Sequence, residues 1–274
     1  MGTVRKAIEH AKWVGRTASL LLRRSPDRWR TACLMARLYW RERRGKRQDR
    51  LHLLRLADGE DVLELWVGDF SDLHVARETF GDEVYGLPVG FRPRTIVDLG
   101  ANIGASVLWF HRRFPDAQIH AVEPDRRSLE KLRRNIATLP GVTIHHAAVA
   151  GESGERTFYE ARRGWESSLL AATARGGQAS TVSALTLPGL IQRCVGGERV
   201  DLLKLDVEGA EWEILPKVRL AAHADVVAGE LHCGVLGDEQ AEHAALRHGL
   251  ADLTVRYDGH SESGHFVAWT GVGG

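Results

Sequence analysis

One stretch of the chain constrains its fold more than any other: an apolar run at 95–97 that stops at Asp98 and breaks into Gly100 and Gly104. This pattern is typical of a buried parallel strand that ends in a tight turn and opens a helix. A second apolar run at 118–122 ends at Glu123, 25 residues after Asp98. An acidic residue at the tip of the second strand of a βαβ unit commonly binds ribose hydroxyls. The two runs therefore predict a unit that binds a nucleoside-bearing cofactor.

From residue 95 onward, strand and helix patterns alternate along the chain. The sequence predicts strands at 95–98, 118–122, 142–146, 200–205 and 225–230, with helices at 103–113, 125–138, 186–194, 210–219 and 238–249. Such alternation is typical of an α/β protein, with a parallel sheet covered by helices on both faces. The last two runs, 252–257 and 265–270, are typical of an antiparallel pair. That ending favours the Rossmann-like, seven-stranded, mostly parallel sheet of class I methyltransferases, whose last strand is antiparallel.

The first 50 residues differ sharply in charge from the rest. They hold 15 Lys and Arg against 4 Asp and Glu, a net charge of +11, whereas the remainder carries −10. We predict a basic helical hairpin, 3–24 and 27–47, that serves as a lid or packing element. Peripheral contact with a membrane and homodimerisation are the alternatives left open. A nucleic-acid partner is not expected, because aromatic and basic residues do not interleave there on a recognisable binding fold.

The sequence suggests three parts: the hairpin at 1–50, a linking part at 51–93 and the cofactor-binding domain at 94–274. In the hairpin, Trp13, Leu21, Trp29 and Leu38 are candidates for its packed faces. The linking part combines a β-hairpin, 51–56 and 62–67, with a short helix at 71–80. A stretch rich in Gly, Ser and Thr at 150–180 is interpreted as an insertion, either an acceptor-binding loop or an ordinary surface connection.

Cysteine use and hydropathy bear on the compartment. The three cysteines, Cys33, Cys194 and Cys233, are odd in number and lack zinc-binding spacing. A reduced, cytoplasmic setting is therefore expected. No run of the sequence approaches the roughly 18 apolar residues that a membrane-spanning helix needs.

Residues that could bind a ligand lie at or just after the carboxyl ends of the predicted strands. They are Asp98, Gly100, Glu123, His146, Asp206, Glu230 and His232. Ligands of such sheets bind beyond the carboxyl ends of the strands, so these residues predict a binding site. The first turn lacks the middle glycine of the phosphate-binding loop of dinucleotide enzymes. S-adenosylmethionine carries no phosphate and fits this turn better than a nicotinamide cofactor does.

Four blocks of the chain resemble the FkbM family of S-adenosylmethionine-dependent methyltransferases. They are VDLGANIG at 97–104, AVEPD at 121–125, LRRN at 132–135 and, above all, LKLDVEGAEWEIL at 203–215. The resemblance covers roughly residues 70–235 and leaves out the basic hairpin. One departure is TLPG at 186–189, where the family usually has Thr-Leu-Asp-Asp; we interpret it as a structural change away from the site.

The resemblance implies a cofactor site that can be placed residue by residue. The residues implied to line the methionine end are Asp98, Gly100, Ala101, Asn102 and Gly104. Glu123 would hold the ribose, with Pro124 shaping the turn, and His146 and Ala148 would border the adenine. The family often has Asn or Asp where this chain has His146. Asp206 would stand between the cofactor and the acceptor.

Transfer of a methyl group to a hydroxyl needs a base that removes the proton. His232 is the first candidate, as a histidine of near-neutral pKa, and Asp206 and Glu208 are the alternatives. In a purely structural role, the two carboxylates would cap the next helix and bind Lys204. Asp206, Glu230 and His232 could also hold Mg²⁺, although no helical i, i+4 spacing supports a preformed metal site.

These patterns together predict a cytoplasmic O-methyltransferase that acts on a hydroxyl of a small molecule or glycan. Natural-product or glycolipid biosynthesis is the expected setting. The alternatives are C- or N-methylation of a small acceptor, a non-catalytic scaffold that only binds the cofactor, and a nicotinamide-dependent dehydrogenase.

Overall fold

A seven-stranded sheet organises the larger of two units in this computed structural model. The structure describes residues 2–44, 50–82, 84–161, 167–170, 178–257 and 264–270, with side chains from residue 11 onward. The chain divides into units at 1–83 and 84–274. The predicted division into three parts at 50 and 93 stays a prediction.

The larger unit alternates strands and helices as the sequence predicts. Its main elements are β3 (Thr95–Leu99), α4 (Ala105–Arg113), β4 (Gln118–Val122), α5 (Arg126–Asn135), β5 (Val142–His145), β6 (Ala148–Val149), β7 (Gly154–Glu160), β8 (Gln178–Leu185), α6 (Leu187–Val195), β9 (Val200–Leu205), α7 (Glu211–Ile214), β10 (Ala224–Leu231), α8 (Glu239–Gly249), β11 (Leu253–Tyr257) and β12 (Gly264–Thr270).

The strand order of the main sheet is β11-β12-β10-β9-β3-β4-β5. β3, β4, β5, β9 and β10 run parallel, and β12 is antiparallel to both of its neighbours. This is the predicted class I methyltransferase topology, and the predicted antiparallel pair is confirmed. The chain order reverses between β3 and β9, so the carboxyl ends of these two strands flank the switch point where ligands of such sheets bind.

Apolar side chains bury the central strands on both faces, as near-continuous hydrophobic sequences require in a parallel sheet. Val97, Leu203 and Val227, on three neighbouring strands, are fully buried in one core cluster. Two helix boundaries follow from capping chemistry. The Asp125 carboxylate accepts hydrogen bonds from two backbone N–H groups at the start of α5, and Thr186 accepts one from Gly189 at the start of α6.

One predicted helix of this unit is wrong, and one stretch contains strands that the sequence did not predict. The helix predicted at 210–219 is only the short α7, because Pro216 follows it and cannot continue a helix. The stretch at 150–180 contains all of β7 and the start of β8, which pair antiparallel, and β8 also pairs with β6. Because the stretch is rich in Gly, Ser and Thr, its sequence did not predict this second sheet. The segments 162–166 and 171–177, which include the Trp165 of the suggested acceptor loop, lie outside the described residues.

The smaller unit contains the predicted helical hairpin, β-hairpin and short helix. Its elements are α1 (Gly2–Arg24), α2 (Arg28–Arg43), β1 (His52–Asp58), β2 (Asp61–Val67) and α3 (Phe70–Arg77), followed by a π-helical turn at Glu78–Asp82. Leu21 and Leu38 are buried as expected, and Trp13 packs against Phe70 with a ring-centroid distance of 5.5 Å. The packed role predicted for Trp29 is wrong, because that side chain is 78% exposed. None of the described helices is long and apolar enough to cross a membrane.

Candidate cofactor and acceptor site

A cavity opens at the carboxyl ends of β3, β4 and β9, where the sequence predicts the site. It contains about 560 Å³ of empty space, a figure that includes space open to solvent. The described residues that line it are Gly100, Asn102, Val122, Glu123, Pro124, Ala147, Ala148, Val149, Phe158, Ser167, Leu169, Asp206, Val207, Glu208 and Ala210.

The tips of β3 and β9 meet in unusually close contact. Gly100 has φ +78°, and a Cβ built on it would lie 1.8 Å from the Asp206 backbone oxygen. Only glycine fits this position, both for its backbone conformation and for its space. Gly100 therefore brings the two strand tips together at the base of the cavity.

A buried ion pair joins the same two strands. The Lys204 ammonium on β9 lies 3.0 Å from an Asp98 carboxylate oxygen on β3, and both side chains are buried. Lys204 also donates a hydrogen bond of 2.9 Å to the Gly100 carbonyl and lies 3.5 Å from Asp206. Although burial lowers the pKa of Lys204, the Asp98 and Asp206 carboxylates outweigh it and raise that pKa. Lys204 is thus a fixed cation beneath the cavity.

Glu123, at the tip of β4, is held in a fixed orientation. One carboxylate oxygen accepts the Asn102 N–H and the other accepts the Asp125 N–H, each at 2.7 Å. Each oxygen keeps a lone pair for a ligand. Burial and the nearby Asp125 carboxylate raise the pKa of Glu123 to about 8, although the two backbone hydrogen bonds and Lys204 oppose the shift.

Backbone strain is concentrated at the cavity. Among the described residues, three non-glycine residues have positive φ, and two of them, Asn102 (+48°) and Glu208 (+52°), line the cavity. Side chains support the strained loops: Asn135 donates to the Ile103 carbonyl at 2.7 Å, and Ser168 donates to the Glu208 carbonyl at 2.7 Å. Such strain is common at functional sites, where surrounding contacts stabilise it.

An imidazolium flanked by carboxylates lies beside the cavity. His232 Nδ1 is 3.0 Å from a Glu211 carboxylate oxygen, and His232 Nε2 is 3.3 Å from a Glu208 oxygen. Burial lowers the pKa of His232, but the Glu211 hydrogen bond and the Glu211, Glu208 and Asp206 charges raise it to about 11. His232 is therefore protonated at neutral pH and offers no lone pair. The prediction that it is a base of near-neutral pKa is wrong.

Glu208 is the carboxylate of this group that faces the cavity. Burial, together with Asp206, Glu230 and Glu211, raises the pKa of Glu208 well above its usual range, and the His232 charge opposes that shift. Glu211, which is fully buried, also accepts the Val207 N–H at 3.1 Å. Glu211 is a functional residue that sequence reasoning missed, although it belongs to the block at 203–215.

The structure divides the implied cofactor residues into two groups. Those on the cavity wall are Gly100, Asn102, Glu123, Pro124, Ala148 and Asp206; those off it are Asp98, Ala101, Gly104 and His146. Asp98 is fully buried and instead binds Lys204 and the Ser106 hydroxyl, at 3.0 and 2.5 Å. The Cβ direction of Gly104 points at Leu132, and Ala101 is buried. The His146 ring is exposed and contacts the Pro124 carbonyl.

Residues outside the predicted set complete the wall. Phe158, Ser167 and Leu169 come from the stretch that the sequence predicts as an insertion. Ser167 donates a hydrogen bond to Asp125 at 2.8 Å, which holds this segment against the start of α5. Ser167 and Asp125 are 42 positions apart in the sequence. No local sequence pattern could therefore have identified Ser167 as a wall residue.

Of the three residues suggested for Mg²⁺, Glu230 does not belong to the group and Glu208 takes its place. Glu230 lies 3.6 Å from His265, and the side chains that converge are Asp206, Glu208 and His232. Mg²⁺ prefers oxygen ligands, whereas His232 offers nitrogen, and its two ring nitrogens already face Glu211 and Glu208. The proposed mechanism uses no Mg²⁺.

The strand order and the cavity at its switch point define the class of protein: a Rossmann-like fold of the class I methyltransferase type. Comparison with known proteins agrees. The family model described as the methyltransferase FkbM domain matches residues 98–255. The chain therefore belongs to the FkbM methyltransferase family.

Individual relatives cover only part of the chain. "Methyltransferase 1" of Beauveria bassiana (strain ARSEF 2860) is 28% identical over 52% of this chain and 65% of its own length. The "31-O-demethyl-FK506 methyltransferase FkbM" of Streptomyces tacrolimicus is 35% identical over 40% of this chain and 44% of its own length. The chain thus spans less than two thirds of either relative. A fibrillarin structure from Aeropyrum pernix, with natively bound S-adenosyl-L-methionine, is 14% identical over 82% of this chain and 84% of its own, with a TM-score of 0.44.

Removing Lys204 tests the buried ion pair. Lys204→Met leaves Asp98 buried without its cation, which should lower the free energy of unfolding by about 3–5 kcal/mol. Lys217→Met is the matched control, because Lys217 pairs with Glu152 at the surface and should cost less than about 1 kcal/mol. Urea unfolding of both variants measures the difference, and equal losses would contradict the structural role of Lys204.

Proposed function

We propose that this chain is an S-adenosylmethionine-dependent O-methyltransferase that acts on a hydroxyl of a small molecule or sugar. The observation that carries the proposal is Glu123, a carboxylate anchored by two backbone N–H groups on the wall of a cavity at the switch point. A carboxylate in this place suits the two hydroxyls of a ribose.

The charge of the cavity favours this cofactor over a dinucleotide. Its acidic side chains are Glu123, Asp206 and Glu208, and no Lys or Arg stands among the described residues of its wall. S-adenosylmethionine carries a cationic sulfonium and an ammonium group, which the wall carboxyl groups attract in their ionised form. A nicotinamide dinucleotide carries a pyrophosphate, for which the described wall offers no cationic side chain.

The chain's own residues supply position and proton transfer. When bound, S-adenosylmethionine supplies an electrophilic methyl group on its sulfonium. Gly100 and Asn102 would shape the wall near the methionine portion, Glu123 would hold the ribose, and Ala148 would border the adenine. Phe158 and Leu169 add apolar surface to the described wall and pack in one cluster with Ala148.

Glu208 is the base that the geometry favours. It faces the cavity, its raised pKa gives its carboxylate a useful affinity for a proton, and His232 balances its charge at 3.3 Å. Glu208 would accept the proton of the acceptor hydroxyl as the oxygen attacks the methyl group. His232 is then a positioning residue, and Asp206 is the alternative base.

Oxygen as the acceptor atom draws support from the name of one relative, a 31-O-demethyl-FK506 methyltransferase. That name also supports a setting in natural-product biosynthesis, with glycolipid biosynthesis as the second setting. Methylation of carbon or nitrogen would use the same cofactor site without the same need for Glu208. A non-catalytic scaffold would bind the cofactor and release no S-adenosylhomocysteine with any acceptor.

The role of Glu123 predicts a pH-dependent affinity for S-adenosylhomocysteine. Ribose hydroxyls donate to the ionised carboxylate, and Glu123 ionises with a pKa of about 8 in the free protein. Affinity measured by calorimetry should therefore rise with pH, by up to about tenfold per unit, and level off above pH 8. Glu123→Gln should bind about 10- to 100-fold more weakly and lose the rise.

Glu152→Gln is the matched control, because Glu152 is at the surface and pairs with Lys217. It should keep both the affinity and the pH dependence of the wild type. A Glu123→Gln protein with wild-type affinity at every pH would remove Glu123 from the ribose site.

The role of Glu208 predicts a loss in turnover without a loss in cofactor binding. Glu208→Gln should slow methyl transfer by about 10²- to 10⁴-fold, the usual contribution of a general base. His232→Ala should slow it less and should shift the pH profile of the rate, because the charge beside Glu208 is gone. Transfer of labelled methyl groups to a panel of hydroxylated acceptors measures both, and unchanged turnover in Glu208→Gln would leave Asp206 as the base.

We also propose that the basic hairpin contacts an anionic membrane surface. Trp29, Cys33, Ala36 and Trp40 are exposed on α2 at spacings of four, three and four residues, which places them on one stripe. A row of exposed arginines runs beside them at seven-residue spacing: Arg30, Arg37 and Arg44. Tryptophan flanked by arginine suits the interface between lipid headgroups and acyl chains.

Vesicle binding tests this surface. The protein should sediment with vesicles that contain phosphatidylglycerol and not with pure phosphatidylcholine, and Trp29→Ala/Trp40→Ala should lose the binding. Val89→Ala is the control, because Val89 is an exposed apolar residue of the other unit. Failure to bind anionic vesicles, or a dimer in ultracentrifugation that the double variant abolishes, would contradict the membrane role.

A further inference from the structure

Three metal-ligating side chains converge on the sheet face beneath α6, outside the cavity wall. His120 projects from β4, His145 from β5 and Cys194 from α6. Because His145 pairs with Val122 across the two strands, it lies on the same face as Val122 and His120. One ligand atom from each of the three side chains lies within 4.8 Å of the other two.

Two of the distances between ligand atoms fit a tetrahedral metal site. His120 Nδ1 and His145 Nε2 are 3.1 Å apart, and Cys194 Sγ is 3.5 Å from His145 Nε2. Around Zn²⁺, with bonds of about 2.0–2.1 Å to nitrogen and 2.3 Å to sulfur, tetrahedral angles give separations of about 3.3 and 3.6 Å. Small side-chain adjustments would therefore admit the ion.

Hydrogen bonding alone satisfies this group poorly. A neutral His145 that carries its proton on Nδ1 has one lone pair, on Nε2. The His120 N–H and the Cys194 S–H both lie within reach of that single lone pair, so they compete for it. A cation would instead accept a lone pair from each of the three atoms.

The surroundings supply the two imidazoles, but not the thiol, in the protonation state that a metal requires. Burial lowers the pKa of His120 and of His145, so both imidazoles are neutral at neutral pH. Burial raises the pKa of the Cys194 thiol to about 11, so metal binding has to displace that proton to solvent. The thiolate formed would offset the positive charge of Arg193, which lowers the pKa of His145.

We propose that His120, His145 and Cys194 form a site for a thiophilic divalent cation of the Zn²⁺ type, with a fourth position left to water or a solvent ligand. Two imidazoles and a thiolate suit Zn²⁺ and not Mg²⁺, which requires oxygen ligands. The ion would join α6 to the edge of the sheet. Because β5 is followed closely by the wall residues Ala147 and Ala148, the bound ion would also stabilise that end of the cavity.

Cobalt substitution tests the site in the full chain. After treatment with a chelator, the protein should bind one equivalent of Co²⁺, with visible d–d bands of tetrahedral cobalt and a near-ultraviolet thiolate-to-cobalt charge-transfer band. Zn²⁺ should displace both sets of bands. Cys194→Ser should lose the charge-transfer band and bind Zn²⁺ on the order of 100-fold more weakly.

The two other cysteines provide matched controls, because Cys33 and Cys233 are exposed. Cys33→Ser/Cys233→Ser should keep every band, and so should Glu208→Gln. Visible bands without charge transfer, or bands that Glu208→Gln abolishes, would place cobalt at the acidic group and overturn the proposal. Absence of any binding, or a charge-transfer band that persists in Cys194→Ser, would also overturn it.

Discussion

The buried pair of Lys204 and Asp98 is the interaction on which the site depends. It joins β9 to β3 at the point where the chain order reverses, and Lys204 extends the link to the Gly100 carbonyl and to Asp206. A buried ion pair is worth little compared with well-packed apolar residues, but its loss leaves an uncompensated charge. Its value here is positional, since it holds two strand tips in a contact that only Gly100 allows.

Acidic groups surround this fixed cation, and their environments give them different properties. Glu123 is oriented by two backbone hydrogen bonds and titrates with a pKa of about 8. Glu208 faces the cavity with a pKa raised well above its usual range, beside a protonated His232. Two carboxylates on one wall, one anchored by backbone donors and one paired with an imidazolium, suit a site that holds a cofactor and accepts a proton.

Sequence patterns predicted what local chemistry controls. The Asp98–Gly104 turn, the Glu123 tip and the antiparallel ending were predictable because each needs particular residue types in a short stretch. The contacts that set electrostatics were not readable. Lys204 meets Asp98 across 106 positions, and Glu211 fixes the charge of His232 only because α7 brings them within 3.0 Å. The pairing of β7 with β8 was not predictable for the same reason, because residue composition does not show which residues of two strands pair.

The central claim is that a ribose lies on Glu123 in the cavity between the tips of β3 and β4. A crystal structure of the full chain with S-adenosylhomocysteine tests it most directly. The account predicts both ribose hydroxyls within hydrogen-bond distance of the Glu123 carboxylate, adenine beside Ala147 and Ala148, and the sulfur directed toward Asp206 and Glu208. A nucleoside bound elsewhere, with this cavity empty, would contradict the account.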